Sequence, residues 1–482
     1  MDQPDYRSQN MMLAQAPAKA APREWTRTWW FRLLAVLMFV ELIMPFVLWQ
    51  AGLRYRTDFT KDVIAGIIVA LTLLYMLTRD RLPAAVLMIL AISLVWGLVA
   101  IFEGQAISAT LWGWWRLFKY PLLMVFAYLI PKWPQDTARL IFKFFIVMML
   151  FQVGVQLIQW VTGTAPGDSL AGTFGNKGVG PYTVFIFLAV CIGLGHWLAT
   201  GQWKAMMLLL ALGLVATMLS VTKFYLFAAA VVGVVAMGIH LIRGGRFRHL
   251  VVYVVLFLLA MAAFVPIYNN FIAATRGLKP LQEYMTREAI DDYLFKGEKV
   301  AQEGRYKLGR GGAIVYAWQQ IRRDNTATLF GFGLGSRTFS DTLGLAGATM
   351  EDDLYGGGGN TSMGVWIQEY GLVGLSLFLA INIWIIVKLS RFAKATSDPY
   401  QATLAYGLIL YTLMWPLWLW YHKTWLYGVM MISYWVTLGY LFTLIYPRRR
   451  RRTPPIASPA LRDEQPPAAL PPTTRPATRR PR

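Results

Sequence analysis

The sequence predicts an all-α polytopic membrane protein because its apolar residues form long runs, its charge content is low and its basic residues are unevenly placed. Hydrophobic residues make up 56% of the 482-residue chain and charged residues only 15%. The apolar residues form blocks of roughly 18–23, each long enough to cross about 30 Å of hydrocarbon as a helix. We predict twelve transmembrane helices, at residues 31–49, 62–78, 83–102, 112–130, 140–161, 179–199, 204–221, 224–243, 249–268, 364–388, 401–420 and 424–446.

The formal net charge of +21 follows from topology rather than from a nucleic-acid partner. If the N terminus is cytoplasmic, many of the Lys and Arg residues fall in inner segments. These include "TRDR" (78–81), "RGGRFRH" (243–249), "KLSRFAK" (388–394) and "RRRRR" (448–452). This is the positive-inside pattern, and basic residues at that face also attract anionic lipid. We therefore expect the lipid bilayer as a partner and no nucleic acid.

The predicted helices divide the chain into five parts. A cytoplasmic N-terminal segment (1–30) shows no removable signal peptide and leads into nine helices (31–268). A large helical loop domain on the outer face (269–363) separates these from three further helices (364–446). The Pro- and Arg-rich tail (447–482) lacks an apolar face and is predicted to be a disordered cytoplasmic extension.

The outer loop differs in composition from everything around it. Residues 276–306 combine charges with intermittent apolar residues and predict one or two amphipathic helices outside the membrane. Residues 309–324 predict another helix, whereas "LFGFGLGSRTF" (329–339) has too many glycines for a helix and favours a tight turn. A simple channel or carrier needs no such domain, so we expect the outer face to be the working face.

The return from the outer loop to the membrane also has a distinctive sequence. Four glycines precede Asn360, Thr361 and Ser362, any of which can cap the tenth helix. Within that helix Gly364, Gly371 and Gly374 are predicted to allow close helix packing.

Metal and cofactor binding are not indicated by the sequence. None of the four histidines lies in 269–363, no two stand at metal-ligand spacing, and Cys191 is the single cysteine. We therefore predict no metal and no cofactor. His422, in "WYHKTW" (420–425), differs from the others because it belongs to the last outer turn. It is either part of an aromatic belt or within reach of an outer-face site.

Cations on the outer side are candidates for binding phosphate, since guanidinium and ammonium groups pair with phosphate oxygens. The candidates are Lys177, Lys223, Arg305, Arg310 and Arg337. Each has an alternative interpretation as a surface or interface charge.

Two further stretches carry candidate site residues. "GTFGNKGVGP" (172–181), which contains Asn176, opens the sixth helix, where flexible backbone and helix N-terminal amides favour an anion. "EDD" (351–353) supplies Asp352 and Asp353, which could provide a general base or simply keep the loop soluble. Asp58 and Asp62 form a second, weaker acidic pair.

Four segments, taken in order, resemble the motifs of bacterial O-antigen ligases and O-antigen polymerases. "GTFGNKG" (172–178) resembles the family's G-x-F-x-N-P-N turn, and "TK" (222–223) resembles its S-R pair between helices. "GR…W…FGFGLGS" (309–336) resembles its R…W…P-L-x-G-x-G-x-G run in the large periplasmic loop. "NTSMGVWIQEYGLVGLSLF" (360–378) resembles its H-N-x-x-L-x-x-L-x-E-x-G-x-x-G return to the membrane. The order and topology together are more specific than any single motif.

The resemblance implies roles for individual positions. Arg310 matches the family's loop arginine and Glu369 its helix glutamate, whereas Lys223 stands where the family has arginine. Asn360 stands where the family has histidine, and asparagine cannot act as a general base. This departure argues against a standard ligase and favours a polymerase or a divergent branch of the family. The base candidates that remain are Asp352, Asp353, Glu369 and His422.

The resemblance implies a metal-independent glycosyltransferase of the bacterial inner membrane with a GT-C-like plan. Its donor would be an undecaprenyl-diphosphate-linked oligosaccharide, its acceptor a glycan or glycolipid, and a chain-length regulator a further partner. The large loop would be periplasmic and both termini cytoplasmic. Two alternatives from other classes stay open: a transporter or flippase for lipid-linked sugars, and a cell-wall polymerase of the shape, elongation and division type.

Overall fold

The structure, a computed structural model, covers most of the predicted membrane helices and much of segment 269–363, which keeps the name outer loop from its predicted position. It describes residues 29–50, 58–77, 84–130, 133–164, 169–175, 178–220, 222, 224–274, 277, 279–295, 298–300, 305–340, 343–351, 361–426 and 428–447. The chain divides into two units, Met1–Ile445 and Tyr446–Arg482, and the fold described below is that of the first. The predicted N-terminal segment and tail lie almost wholly outside the described residues.

Nine long helices precede the outer loop and coincide with the predicted apolar runs to within a few residues. They are α1 (Trp29–Gln50), α2 (Asp58–Leu77), α3 (Ala84–Phe102), α4 (Ile107–Leu129), α5 (Thr137–Val161), α6 (Val179–Thr200), α7 (Lys204–Ser220), α8 (Phe224–Ile242) and α9 (Phe247–Ile267). Three segments follow the loop: α14 (Ser362–Ala395), the bent pair α15 (Pro399–Leu413) and α16 (Trp415–Tyr421), and α17 (Gly428–Ile445).

Seven helices within the described residues are long and apolar enough to cross a membrane, or eight if the bent pair is one span. The polytopic membrane fold is therefore confirmed, while the number of twelve crossings stays a prediction. The remaining helices fall short for local reasons. α7 and the apolar part of α2 are short, and α4 carries Arg116 and Lys119, which lower its mean hydropathy.

The centre of the bundle is α6, in which every residue from Tyr182 to Leu198 is buried. Its most extensive packing is against α15. A Cβ on Gly195 of α6 would lie 2.5 Å from the Gly407 backbone nitrogen of α15. The two helices can approach this closely because neither residue has a side chain, as is common between membrane helices. Helices at the periphery of the bundle, such as α3 and α9, instead expose apolar side chains along their length.

The outer loop has a mixed fold within the described residues. After α9 come a π-helical turn (Tyr268–Ala273), a 3-10 turn (Leu281–Met285) and α10 (Arg287–Leu294). The further elements are β1 (Glu298–Val300), β2 (Arg305–Lys307), α11 (Arg310–Ile321), α12 (Asn325–Phe330), β3 (Phe339–Ser340), β4 (Leu345–Ala346) and α13 (Ala348–Glu351).

The predicted amphipathic helices of the loop are only partly present. α10 forms, with Thr286 accepting a hydrogen bond from the Ala289 amide as its N-cap. Beyond it, β1 and β2 pair antiparallel, with Val300 opposite Arg305, where the sequence had favoured helix. The sequence interrupts its helix formers with Gly297 and Gly304, and glycine disfavours helix by about 1 kcal/mol. The all-α expectation therefore holds for the membrane part, and the loop adds two small sheets.

α14 is broken near its start. Gly371 has φ 59° and ψ −163°, so the helix consists of two parts that meet at this residue. Thr361 caps the first part by accepting a hydrogen bond from the Gly364 amide at 3.1 Å, as the sequence allowed. Gly374 does provide close packing, since a Cβ there would lie 3.2 Å from the Trp96 ring. Gly371 also allows close packing, since a Cβ there would lie 2.5 Å from the Leu329 carbonyl oxygen of α12, and in addition it breaks the helix.

Candidate functional site

The glycine-rich loop after α12 docks on the broken part of α14. The Phe332 amide donates to the Gln368 carbonyl at 2.7 Å, and the Gly333 amide donates to the Glu369 carbonyl at 3.1 Å. In an unbroken helix these carbonyls would accept from amides four residues later. Because Gly371 breaks the helix, they are available to the loop. The break thus binds the outer loop to the membrane helix through main-chain hydrogen bonds.

Two glycines let this loop pass between helices. Gly333 and Gly335 have φ of 84° and 83°, in the left-handed region that favours glycine. A Cβ on Gly333 would lie 2.3 Å from the Ala100 nitrogen of α3, and one on Gly335 would lie 2.2 Å from the Ala109 carbonyl oxygen of α4. Glycine is therefore required here both for backbone conformation and for space.

Glu369 is buried beside the loop and both of its oxygens have donors. Its Oε1 accepts from the Arg337 amide at 3.0 Å, and its Oε2 accepts from the Tyr370 hydroxyl at 2.8 Å. The Arg337 side chain is also fixed: Nε donates to Gln368 Oε1 at 2.6 Å and a guanidinium NH donates to the Thr349 carbonyl at 2.9 Å. Glu369 and Arg337 thus hold the loop on α14.

α4 contributes a second arginine that the sequence analysis did not single out. Arg116 donates to the Thr338 hydroxyl at 3.3 Å, and it also acts electrostatically on Glu369. Arg116 and Arg337 thus place two positive charges near the one negative charge of Glu369. This excess of positive charge favours binding of an additional anion. The signal was visible in the sequence as a basic residue within a predicted span.

A second polar cluster lies where α11 begins and α16 ends. The Arg310 Nε donates to the Tyr421 carbonyl at 2.8 Å, and its guanidinium carbon lies 4.2 Å from the centre of the Tyr421 ring. A guanidinium over a tyrosine face is attracted by the ring's quadrupole. Arg310 is therefore fixed at the first residue of α11 by both a hydrogen bond and a cation–π contact.

His422 completes this cluster. Its ring meets the Tyr421 ring edge to face at 4.5 Å, and its carbonyl accepts from the Ser362 amide at 3.0 Å. Burial, and to a lesser degree the positive charge of Arg310, lowers the pKa of His422 to about 3. The imidazole is therefore neutral at physiological pH. It can exchange hydrogen bonds in this state, but it holds a proton poorly.

Two predicted site residues lie outside the described residues but adjoin this cluster in the chain. Lys223 precedes Phe224, whose ring stacks on Tyr421 with centroids 3.5 Å apart and an interplanar angle of 7°. Asn360 precedes Thr361, the N-cap of α14. The starts of α8, α11 and α14 therefore converge on the end of α16.

One tryptophan links the two clusters. The Trp425 Nε1 donates to the Arg116 carbonyl at 3.2 Å, and its amide donates to the Ser362 hydroxyl at 3.3 Å. Ser362 in turn binds the His422 carbonyl. We define the outer cluster as Arg116, Arg310, Arg337, Glu369, Tyr421 and His422.

The glycine stretch before α6 is held by glutamines of α5 rather than left open. Gln159 Oε1 accepts from the Gly172 amide at 3.1 Å and its Nε2 donates to the Gly172 carbonyl at 2.7 Å. Gln152 Oε1 accepts from the Thr173 amide at 2.9 Å. These two amides are consequently not available to an anion, while anion binding at the N-terminal amides of α6 stays a prediction.

The remaining predicted residues can be placed only in part. Asn176, Lys177, Lys223, Asp352, Asp353 and Asn360 lie outside the described residues, and for Arg305 the structure describes only the backbone of β2. Asp62, from the weaker acidic pair, forms an ion pair with Lys119 at 2.8 Å. In the described part of the chain, no three His, Cys, Asp or Glu side chains are grouped as metal ligands.

The chain matches no protein-family model and is not detectably similar to any curated protein.

Proposed function

We propose that this protein is a metal-independent glycosyltransferase of the bacterial inner membrane that polymerises glycan from an undecaprenyl-diphosphate-linked donor. The observation that carries the proposal is the fixed Arg310 guanidinium beside Tyr421 and His422. It lies where the helices following Lys223 and Asn360 begin. Arg310 is the described member of this group, and Lys223 and Asn360 directly precede helices whose first residues contact Tyr421 or His422.

The reaction would depend on positively charged side chains of the protein and would not require a metal ion. The acceptor hydroxyl oxygen forms a bond to the anomeric carbon of the donor sugar, and the bond from that carbon to the phosphate oxygen breaks. Undecaprenyl diphosphate leaves with the electron pair, and fixed cations stabilise its developing charge. Arg310 and Lys223 are the proposed cations, with Arg116 as a further one nearby. Asn176, Lys177, Arg305 and Arg337 stay secondary candidates for binding the donor.

The acceptor proton requires a base, and the described geometry argues against two of the four candidates. His422 has a pKa of about 3 and takes up a proton poorly at neutral pH. Both oxygens of Glu369 already accept hydrogen bonds. Asp352 and Asp353 are therefore the preferred bases, and Asn360 is assigned to orienting substrate rather than to proton transfer.

Membrane placement follows from the charge pattern. We place the termini in the cytoplasm and the loop in the periplasm, where lipid-linked donor and glycan or glycolipid acceptor meet. A chain-length regulator would bind the same face, and no cofactor is needed.

The test is product formation by full-length protein in proteoliposomes supplied with a defined undecaprenyl diphosphate oligosaccharide. Wild type is expected to form ladders of extended glycan. Arg310→Ala and Lys223→Ala should each lower the rate about 10²–10³-fold, a typical loss for one group that stabilises transition-state charge. Arg322→Ala removes an exposed cation at the other end of α11 and is the matched control. Normal ladders from both site variants would contradict the proposed phosphate site.

A ligase is the alternative within the same chemistry. It would transfer one preassembled chain to a glycolipid and form no ladder from donor alone. Supplying donor with and without a glycolipid acceptor separates these two outcomes.

A transporter or flippase for lipid-linked sugars is favoured by a different observation. Lys119 and Asp62 form an ion pair between α4 and α2, and charges inside membrane helices commonly mark transport pathways. This function predicts flux of a labelled lipid-linked sugar without covalent change. Loss of flux in Lys119→Met, together with absence of ladders in wild type, would favour it over the polymerase.

A further inference from the structure

A cavity of about 290 Å³ lies at the end of the bundle away from Arg310. It is formed where α6, α8 and α14 end and α15 begins. Its lining includes Arg243, Lys394, Asp398 and Tyr406. Because Arg310 binds Tyr421 at the far end of the α15–α16 pair, the cavity is separate from the outer cluster. Binding there does not depend on the proposed function.

The charged groups of the cavity favour an anion. Arg243 and Lys394 are cations, and Asp398 is the single carboxylate among the lining residues. The Asp398 carboxylate is already used as the N-cap of α15, since its Oδ1 accepts from the Tyr400 amide at 2.8 Å. The lining therefore has two positive charges and one negative charge, and the carboxylate already accepts hydrogen bonds from helix amides.

One wall of the cavity carries a polar group that the protein does not satisfy. Tyr406 is 3% exposed, and its hydroxyl finds no hydrogen-bond partner among the described residues. The Arg243 guanidinium carbon lies 4.7 Å from the centre of the same ring. A buried hydroxyl without a partner costs free energy, so a ligand oxygen here would stabilise the site. The guanidinium, the ammonium and the phenol thus offer donors to one acceptor-rich ligand.

The place and size of the cavity indicate the class of ligand. Its volume of about 290 Å³ is at the lower end of the range for ligand pockets, which is a suitable size for a lipid headgroup. It lies at helix ends, and the chain is basic just after α8, where Arg246 and Arg248 follow Arg243. Basic pockets between helix ends bind anionic lipid headgroups. We propose that this cavity binds the phosphate group of an anionic phospholipid.

The experiment measures lipid retention by full-length protein in mild detergent, by native mass spectrometry after equilibration with phosphatidylglycerol or phosphatidylcholine. Wild type should retain phosphatidylglycerol in preference to phosphatidylcholine. Arg243→Gln combined with Lys394→Gln should lower retention about thirtyfold, since each cation near an anionic headgroup contributes roughly fivefold. Tyr406→Phe removes only the unsatisfied hydroxyl and should give a smaller loss, and it keeps the test valid if the double variant misfolds.

Arg391→Gln is the matched control, because it removes an exposed cation of α14 that does not line the cavity. Retention equal to that of wild type in this control, with loss in the other variants, supports the site. Equal retention in the double variant and the control, or equal retention of both lipids by wild type, would overturn it. Displacement of the lipid by millimolar inorganic phosphate would show that the phosphate group alone is recognised. Persistence of the lipid would assign recognition to the whole headgroup.

Discussion

Glu369 joins two hydrogen-bond donors that lie on different parts of the chain, the Arg337 amide and the Tyr370 hydroxyl. Glu369→Ala would leave both without their acceptor at a buried position, which costs about 1–3 kcal/mol for each group. Glu369→Gln keeps an acceptor oxygen and loses the charge that faces Arg116 and Arg337. We therefore expect the glutamine variant to unfold at a temperature between those of the alanine variant and wild type, measured in detergent.

The same pair of variants separates a positioning role from a catalytic one. If Glu369 holds the loop, Glu369→Gln should retain much more glycan transfer than Glu369→Ala. Equal and complete loss of transfer in both variants, with the glutamine variant still folded, would instead identify Glu369 as the base.

His422 gives a pH prediction with a definite sign. Its pKa in the folded protein is about 3, below the ordinary value of 6.5, so the unfolded chain binds more protons in acid. The His422 contribution to stability is present above about pH 6.5 and is lost as the pH falls towards 3. Relative to His422→Gln, wild type should lose about 1.4 kcal/mol per pH unit over this range. Thermal unfolding of both proteins at pH 4–7 measures this, and parallel pH curves would contradict it.

At the scale of elements, the glycine-rich loop depends on space as well as on backbone conformation. Gly333→Ala would incur about 1–3 kcal/mol of backbone strain and a clash with α3. Gly344→Ala is the matched control: its φ is +60°, but a Cβ there meets nothing within 4 Å. Thermal unfolding should therefore show a larger loss of stability for Gly333→Ala. Equal losses in the two variants would mean that the loop does not pack against α3 as described.

The glutamines of α5 give a second prediction at this scale. Gln156 donates to the Leu170 and Ala216 carbonyls and accepts from the Tyr182 hydroxyl at 2.8 Å. Gln156→Leu would remove these bonds inside the bundle and should destabilise the protein by about 1–3 kcal/mol. Gln319→Ala, at an exposed position on α11, should change stability by about 0.5 kcal/mol or less. Chemical or thermal unfolding of the two variants in detergent compares them, and similar small effects would contradict the role of Gln156.

The helix positions could be predicted because long apolar runs are a local property of the sequence. α6, for example, begins at the predicted residue and ends one residue beyond the predicted 199. The break at Gly371 could not be predicted in this way, since it depends on the loop that takes up the freed carbonyls. The strands after α10 were missed because charged residues and helix formers dominate that stretch.

The sequence allowed several residues of the candidate site to be predicted, but not the contacts between them. The sequence drew attention to Arg310 and His422 separately, and the structure brings both against Tyr421. It also singled out Glu369 and Arg337. In the structure Glu369 accepts from the Arg337 amide, and the Arg337 side chain donates to Gln368. Arg116 escaped notice because a residue inside an apolar run has no local pattern that indicates which way it faces.

At the scale of the whole molecule, the twelve-crossing topology can be tested with single cysteines. Cys191 is fully buried, so the native chain gives little background labelling. Glu283→Cys in the outer loop and Lys394→Cys in the last turn of α14 lie at exposed positions. A membrane-impermeant maleimide added to intact spheroplasts should label position 283 and leave position 394 unlabelled until the membrane is opened. Labelling of both from outside would contradict the proposed topology.

The break at Gly371 has a consequence for exchanging parts between related proteins. Because the outer loop is bonded to carbonyls that only a broken helix offers, neither partner is complete alone. If a protein with an unbroken helix at this place received the loop alone, the loop amides would be buried without acceptors. The exchangeable module is therefore the loop together with the first ten residues of α14, and a graft cut at the membrane boundary should fail to assemble.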